Sequence, residues 1–305
     1  MLRAQGHIMA ECNSKGDAVM LTKEDIQALQ KHLFSMYKDI ERICDRHELT
    51  VTLAFGNVIG VMRHGGWIPW DDDLDLYMPR KDYDIFLKEY VKELPEKYIV
   101  YSLESAAGPI VRFTKIIDKT TVFSNPTEMG PPHVEGVFID IFPLDDVPSS
   151  MALHKIKKFL SYGTVFIQNS VMQYKYASEE YKNILCSTSS GKRLFGLRKV
   201  VGAFCSPIGL KNWFRLLDLI ISNKREGDYV YCGISTQKGW NPMPKDYVFP
   251  PRKFRFPNGE EAYIPHQSEK YLAEVYGDWK KIPDDKDKWH HYCKDFRLPK
   301  ESDQC

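Results

Sequence analysis

Apolar residues recur at helical spacing at the start of the readable pattern: Ile26, Leu29, Leu33, Met36, Tyr37, Ile40 and Cys44 mark one face of a helix over 21–49. Thr22 followed by Asp25 supplies its capping box, with the shorter acid in place of Glu. "TVTLAFGN" (50–57) then predicts a short strand ending in a Gly-Asn turn, and "VIGVMRHGG" (58–66) a helical turn stopped by Gly65 and Gly66. The next segment switches to period two, with Leu74 and Leu76 alternating against Asp73 and Asp75, which predicts a strand. "PRKDYDIFLKEYVKEL" (79–94) is a helix opened by Pro79 and faced by Tyr83, Phe86, Leu87 and Tyr90. "YIVYSL", "IVRFTKIID" and "GVFIDIFPL" predict three more strands. Residues 151–225 are mostly helical in pattern. After Gly227 strand-like segments return, with "FRFPNGEEAYI" a hairpin and "QSEKYLAEVYGDW" a last short helix.

Composition narrows the class without naming a function. The chain has 305 residues, 43% of them hydrophobic and 13% aromatic, enough to build a real core. Lys and Arg number 42 against 41 Asp and Glu, so a net charge of +1 offers no strong overall field for nucleic acid or membrane. Seven cysteines form no CxxC pair, which argues against a zinc site or a disulfide framework and suits a reducing, cytoplasmic compartment. Residues 1–20 carry no apolar run long enough for a signal or anchor and are expected to form a flexible leader.

Within that frame, "GWIPWDDDLDLYM" (66–78) is the unusual stretch. Asp71, Asp72, Asp73 and Asp75 fall within five positions, bracketed by Trp67, Ile68 and Trp70 before and by Leu76, Tyr77 and Met78 after. On a strand Asp71, Asp73 and Asp75 share a face. Two carboxylates brought to ~5 Å repel by roughly 3 kcal/mol at an effective dielectric of 20, a cost that a divalent cation removes. Oxygen donors without His or Cys favour a hard ion, Mg²⁺ or Mn²⁺. A calcium loop would need Gly and Glu where Leu76 and Asp82 stand, so that reading fails. Upstream, Gly56 and Asn57 let backbone N–H groups approach an anion, and Arg63 follows one or two turns later.

These residues carry a resemblance. "FGNVIGVMRHGGWIPWDDDLDLYMPRKDYDIF" (55–86), "GVFIDIFPLDDVP" (136–148) and "YLAEVYGDWKKIPDDKDKWHH" (271–291) stand in the order and form of three motifs of the LicD family, which includes fukutin and fukutin-related protein. "IVRFTKIIDKTTVF" (110–123) fits that family's Arg-bearing strand. The resemblance implies an α/β (α+β) fold: a nucleotidyltransferase-like mixed sheet flanked by helices. It also implies Asp73, Asp75 and Asp140 as catalytic residues and metal ligands, with Asp71 matching the motif's first Asp. Arg63, Arg112 and Lys115 become candidates to hold phosphate, alongside Gly56 and Asn57. His290 and His291 are the terminal pair, one of which would close over the site. Tyr276, Gly277 and Asp278 read as a structural corner.

The implied reaction is metal-dependent transfer of a phospho-alcohol, phosphocholine first, from a CDP-activated donor to a hydroxyl of a cell-surface glycan or its lipid-linked precursor. Two alternatives stay open: a GT-A-like DxD glycosyltransferase using a nucleotide sugar, and a non-catalytic binder that kept the fold. The expected organisation is a leader (1–20), a catalytic core (21–150), a helical segment (151–225) facing acceptor or membrane, and a C-terminal part (226–305) that completes the site. No specific protein partner is implied. "GKRLFGLRKVV" (191–201), with Lys192, Arg193, Arg198 and Lys199 punctuating apolar residues, reads either as an ordinary packed amphipathic helix or as a segment that lies on an anionic membrane, the second giving a peripheral location at its inner face.

Overall fold

The computed structural model describes residues 21–104, 111–125, 129–148, 150–223, 225–234, 241–284, 288, 291 and 293–299. In chain order the elements begin with α1 (Lys23–Arg46), β1 (Thr52–Leu53), α2 (Phe55–Ile59, continued by a π-turn, Gly60–His64), β2 (Asp75–Pro79) and α3 (Arg80–Ile85). Then come β3 (Tyr98–Tyr101), β4 (Thr114–Asp118), β5 (Val122–Ser124) and β6 (Phe138–Asp146). Four helices follow: α4 (Met151–Tyr176), α5 (Glu179–Leu185), α6 (Ser189–Cys205) and α7 (Leu210–Ile221). The described chain closes with β7 (Tyr229–Tyr231), β8 (Met243–Pro244), β9 (Arg252–Arg255), β10 (Glu261–Ile264), α8 (Ser268–Tyr276) and β11 (Asp295–Arg297).

The expected mixed sheet is present. Its strands run β1-β2-β6-β4-β3, with β7 and β8 extending from the far end of β6. β2 and β6 are parallel; the other neighbours are antiparallel. A parallel pair needs a crossover, and α3 to β4 supply it. β6 is central and therefore buried along almost its whole length, as an unbroken apolar run would be, yet it carries Asp140 and Asp145. Asp145 is neutralised by Arg80, which grips both its oxygens at 2.7 and 3.0 Å. α1 is capped by Thr22 and Asp25 and buries its apolar stripe in the main core.

Several boundaries differ from the pattern. β1 is only two residues, and Gly56 and Asn57 lie in the first turn of α2 instead of a hairpin-like turn. Phe55 makes that change of direction at φ 43°, a left-handed conformation that costs energy for a side-chain-bearing residue; its N–H donates to the Tyr271 hydroxyl at 3.0 Å. β2 begins at Asp75, so Asp71–Leu74 are irregular backbone. The alternation still holds there: Asp72 and Leu74 are buried while Asp71, Asp73 and Asp75 are half-buried. α5 and the β5–β11 pairing were not evident from periodicity, because both are short.

Candidate active site

Three side-chain devices hold the aspartate segment where no sheet ladder does. Asn57, buried in α2, accepts from the Asp75 N–H at 2.7 Å and donates to the Asp73 carbonyl at 3.0 Å. Gln30 of α1 donates to the carbonyls of Ile68 and Asp71 at 3.0 and 2.9 Å. Gly60 lets the 66–68 turn pack directly on the π-turn, since a Cβ there would sit 2.6 Å from the Gly66 oxygen. A backbone fixed in this way holds the Cα positions of the acids close together, so their mutual repulsion is not relieved by the segment moving apart.

Sheet register brings the other site residues alongside. Asp75 stands opposite Asp140 on the parallel strand, and Asp140 opposite Lys115 on the antiparallel one, so three adjacent strands place Asp, Asp and Lys in one row. The Lys115 ammonium is 3.5 Å from Asp140 and lies over the Phe138 ring at 3.3 Å from its centre. From the C-terminal part, the His291 N–H and its Nδ1 both donate to Asp72, at 2.7 and 3.0 Å. Gly56 lies against the Asp71 carboxylate, which would be in ordinary contact, at 3.6 Å, with a Cβ placed there.

The electrostatics follow from this crowding. Burial, then Asp73 and Asp72, push the Asp71 carboxyl well above its usual range, against the pull of Arg63. Burial also raises Asp73, to about 6; His291 and Lys115 oppose this, and Asp72 and Asp140 add to it. Asp75 is driven well up by burial and by Asp73, Asp140 and Asp71. His291 moves the other way from what burial alone would do: Asp72, by charge and hydrogen bond, and Asp73 hold it up to about 9, a cation at neutral pH. Carboxylates kept close against their own repulsion fit a divalent cation. The donors are oxygens, which suits Mg²⁺ or Mn²⁺. Among the described residues, Asp72, Asp73 and His291 have ligand atoms within 4.8 Å of one another; the hydrogen bond joins Asp72 to His291, and Asp73 stands beside the pair.

The family described as LicD/FKTN/FKRP, nucleotidyltransferase domain, matches residues 48–175. That span contains α2, β2, β4 and β6, hence the whole row. Residues 48–175 are the part of the chain that carries the LicD-family domain. Beyond it the likeness continues: a protein of Haemophilus influenzae, "Lipopolysaccharide cholinephosphotransferase LicD", is 26% identical over 265 residues, covering 82% of this chain and 89% of that protein. The two likenesses agree: the family match spans residues 48–175, and the similarity to the Haemophilus influenzae protein continues past it.

Not every anticipated residue joins the LicD-type carboxylates. Asp71, Asp73, Asp75, Asp140, Lys115, Gly56, Asn57 and His291 converge. Arg63 lies close enough to act on Asp71, but its Nη1 donates to the carbonyls of Trp279 and Lys281, at 3.0 and 3.1 Å, tying α2 to the C-terminal part. Arg112 points towards α4, donating to Asn169 at 2.9 Å; its Nε is buried and has no hydrogen-bond partner among the described residues, and burial lowers it to about 10. His290 lies outside the described residues. Three participants were missed. Gln30 hides in the apolar face of α1, Asp72 falls out of phase with the alternation, and Tyr276 was read as a corner. The Tyr276 hydroxyl is held well above its usual range by burial and by Tyr271, Asp75, Asp71 and Asp73, so it borders the acidic cluster. A polar residue on an otherwise apolar helix face was the available signal for Gln30.

Proposed function

We propose that this chain transfers phosphocholine from a CDP-activated donor to a hydroxyl of a glycan or its lipid-linked precursor, with Mg²⁺ or Mn²⁺ held by Asp73, Asp75 and Asp140. The observation that carries the reading is the Asp75–Asp140–Lys115 row, with Asp73 beside it, inside a LicD-family domain. The relative's printed activity supports the phosphocholine and glycan parts. When bound, the cation neutralises the diphosphate and stabilises the departing CMP.

The protein's own groups do the rest. Asn57 and Gln30 fix the carboxylates in place, so little reorganisation is needed as charge develops. The acceptor oxygen forms a new P–O bond as the bond to CMP breaks, and Asp140 takes the acceptor's proton. The Lys115 ammonium, 3.5 Å from Asp140, orients that carboxylate. Arg112, turned to Asn169 of α4, ties the helical segment to the sheet instead of reaching the donor phosphate. Arg63 positions the C-terminal part, which brings the His291–Asp72 pair over the cluster.

Calorimetric titration with CDP-choline, with and without Mg²⁺, tests this directly. Metal-dependent binding of CDP-choline is the expected result, with CDP-ribitol and CDP-glycerol as comparisons for the alcohol. Preference for a UDP-sugar would replace the reading by a glycosyltransferase, and indifference to every nucleotide would reduce the chain to a binder.

A further inference from the structure

The helices of 151–221 turn much of their apolar surface outward. Thirteen of the fifteen exposed large hydrophobic side chains among the described residues lie between Met151 and Leu219. Phe159, Phe204 and Leu219 are 77%, 84% and 74% exposed. They fall in stripes at helical spacing: Ile156, Phe159 and Leu160 on α4, Leu197, Val200 and Phe204 on α6, and Leu216 and Leu219 on α7. The inward faces of these helices are already engaged. Gln168 donates to the Trp213 carbonyl and Gln173 to the Phe195 carbonyl, both at 2.8 Å, and Gly202 packs against the Ser170 backbone. The stripes are therefore not a core face left without its helix.

Charge separates along the same boundary. Between Asp146 and Asp218 the chain has eleven lysines and arginines but only two acids, Glu179 and Glu180. That segment carries +9, and the remainder −8, in a chain whose net charge is +1. Lys155, Lys192, Arg193 and Lys199 are exposed on the striped helices and form no ion pair among the described residues. Asp218, which ends the run, is occupied by Arg80 at 2.9 Å.

We propose that the outward face of α4, α6 and α7 docks on an anionic lipid bilayer. A bilayer supplies both halves of what this face presents: negative headgroups for the lysines and hydrocarbon for the phenylalanines. A second copy of the chain would bring the same positive segment against itself, and nucleic acid has no use for apolar stripes. No helix among the described residues is long and apolar enough to cross a membrane, so the helices lie in the interface. The inference gives the transfer reaction a lipid-linked acceptor but does not depend on it.

Flotation of the full chain with vesicles tests docking in the absence of donor and metal, so it can fail while transfer stands, and the reverse. Binding to mixed phosphatidylcholine–phosphatidylglycerol vesicles is expected, weakening as salt rises, with little binding to phosphatidylcholine alone. At about 1 kcal/mol per basic residue near the surface, the double change Lys192→Gln, Lys199→Gln weakens partitioning roughly 30-fold. Phe159→Ser with Phe204→Ser and Leu219→Ser weakens it more than tenfold at any salt, with the circular dichroism spectrum unchanged. Absence of binding at low salt overturns the proposal, as does equal binding by these variants. Self-association in sedimentation velocity that the Ser variants abolish would overturn it in favour of a second copy.

Discussion

Asn57 does for the aspartate segment what a neighbouring strand would do, and its loss would expose the difference between holding a site and performing chemistry. Asn57→Ala leaves the Asp75 N–H without its acceptor, at a cost of about 1–3 kcal/mol, and frees the Asp73 carbonyl. Denaturant melts should show that loss, with transfer falling further than stability explains. The carboxylates behave oppositely. Asp73→Asn or Asp75→Asn abolishes transfer, yet without divalent cation the melting temperature stays level or rises, because each removes one of several repelling charges. A variant that kept wild-type turnover in Mg²⁺ would remove that Asp from the site. Asp140→Asn separates binding from rate: single-turnover kinetics should fall about 10²–10⁴-fold while donor affinity changes little, since Asp73 and Asp75 remain. Weakened donor binding with an unchanged rate would make Asp140 a binding residue only.

At the scale of elements, the site depends on α1 and β4 keeping their relation to β6. Asp118, at the end of β4, accepts from Thr120 N–H and hydroxyl at 2.9 and 2.6 Å and pairs with His32 of α1 at 3.1 Å and Lys97 at 3.6 Å. Burial alone would raise its pKa, but these partners bring it from 3.8 to about 2. A depressed carboxyl stabilises the fold above its unfolded value and loses that contribution as pH falls through its folded one. The stability gap between wild type and Asp118→Asn should be on the order of 2 kcal/mol at neutral pH. It should shrink below pH 3.8 and close near about 2, read from urea midpoints. A gap that is flat across this range would show that the clamp does not titrate. Periodicity revealed β4 as a strand because its residues are buried without a break. It could not reveal the clamp, whose members stand at 32, 97, 118 and 120.

For the whole molecule, a cation bound among the carboxylates as proposed would relieve repulsion held in the fold and so act as a stabilising ligand. Ligand at 100 times its dissociation constant stabilises the native state by about 2.7 kcal/mol. Mg²⁺ or Mn²⁺ should therefore raise the melting temperature of the wild type and not that of Asp75→Asn, as followed by differential scanning calorimetry. Equal shifts in both would place the cation elsewhere. The helical segment is joined to the sheet through the main core, which takes in Val165, Leu217 and Ile221, through Arg80, which contacts both Asp145 and Asp218, and through Arg112 to Asn169.

The sequence by itself determined many of the local facts: the long helices and the central strands, that the acids alternate with leucines, and that three motifs stand in family order. Those features depend on neighbours a few residues apart, where spacing and side-chain chemistry suffice. Tertiary structure decided the long-range ones. Asp75, Asp140 and Lys115 form a row because strand register aligns them, and register depends on how two apolar faces pack, not on either strand alone. Asp72 meets His291 across more than two hundred residues, and Arg63 turns to C-terminal carbonyls although its spacing suited an anion. Hydrogen bonds of that kind form only once the backbone has been brought together, so no periodicity along the chain encodes them.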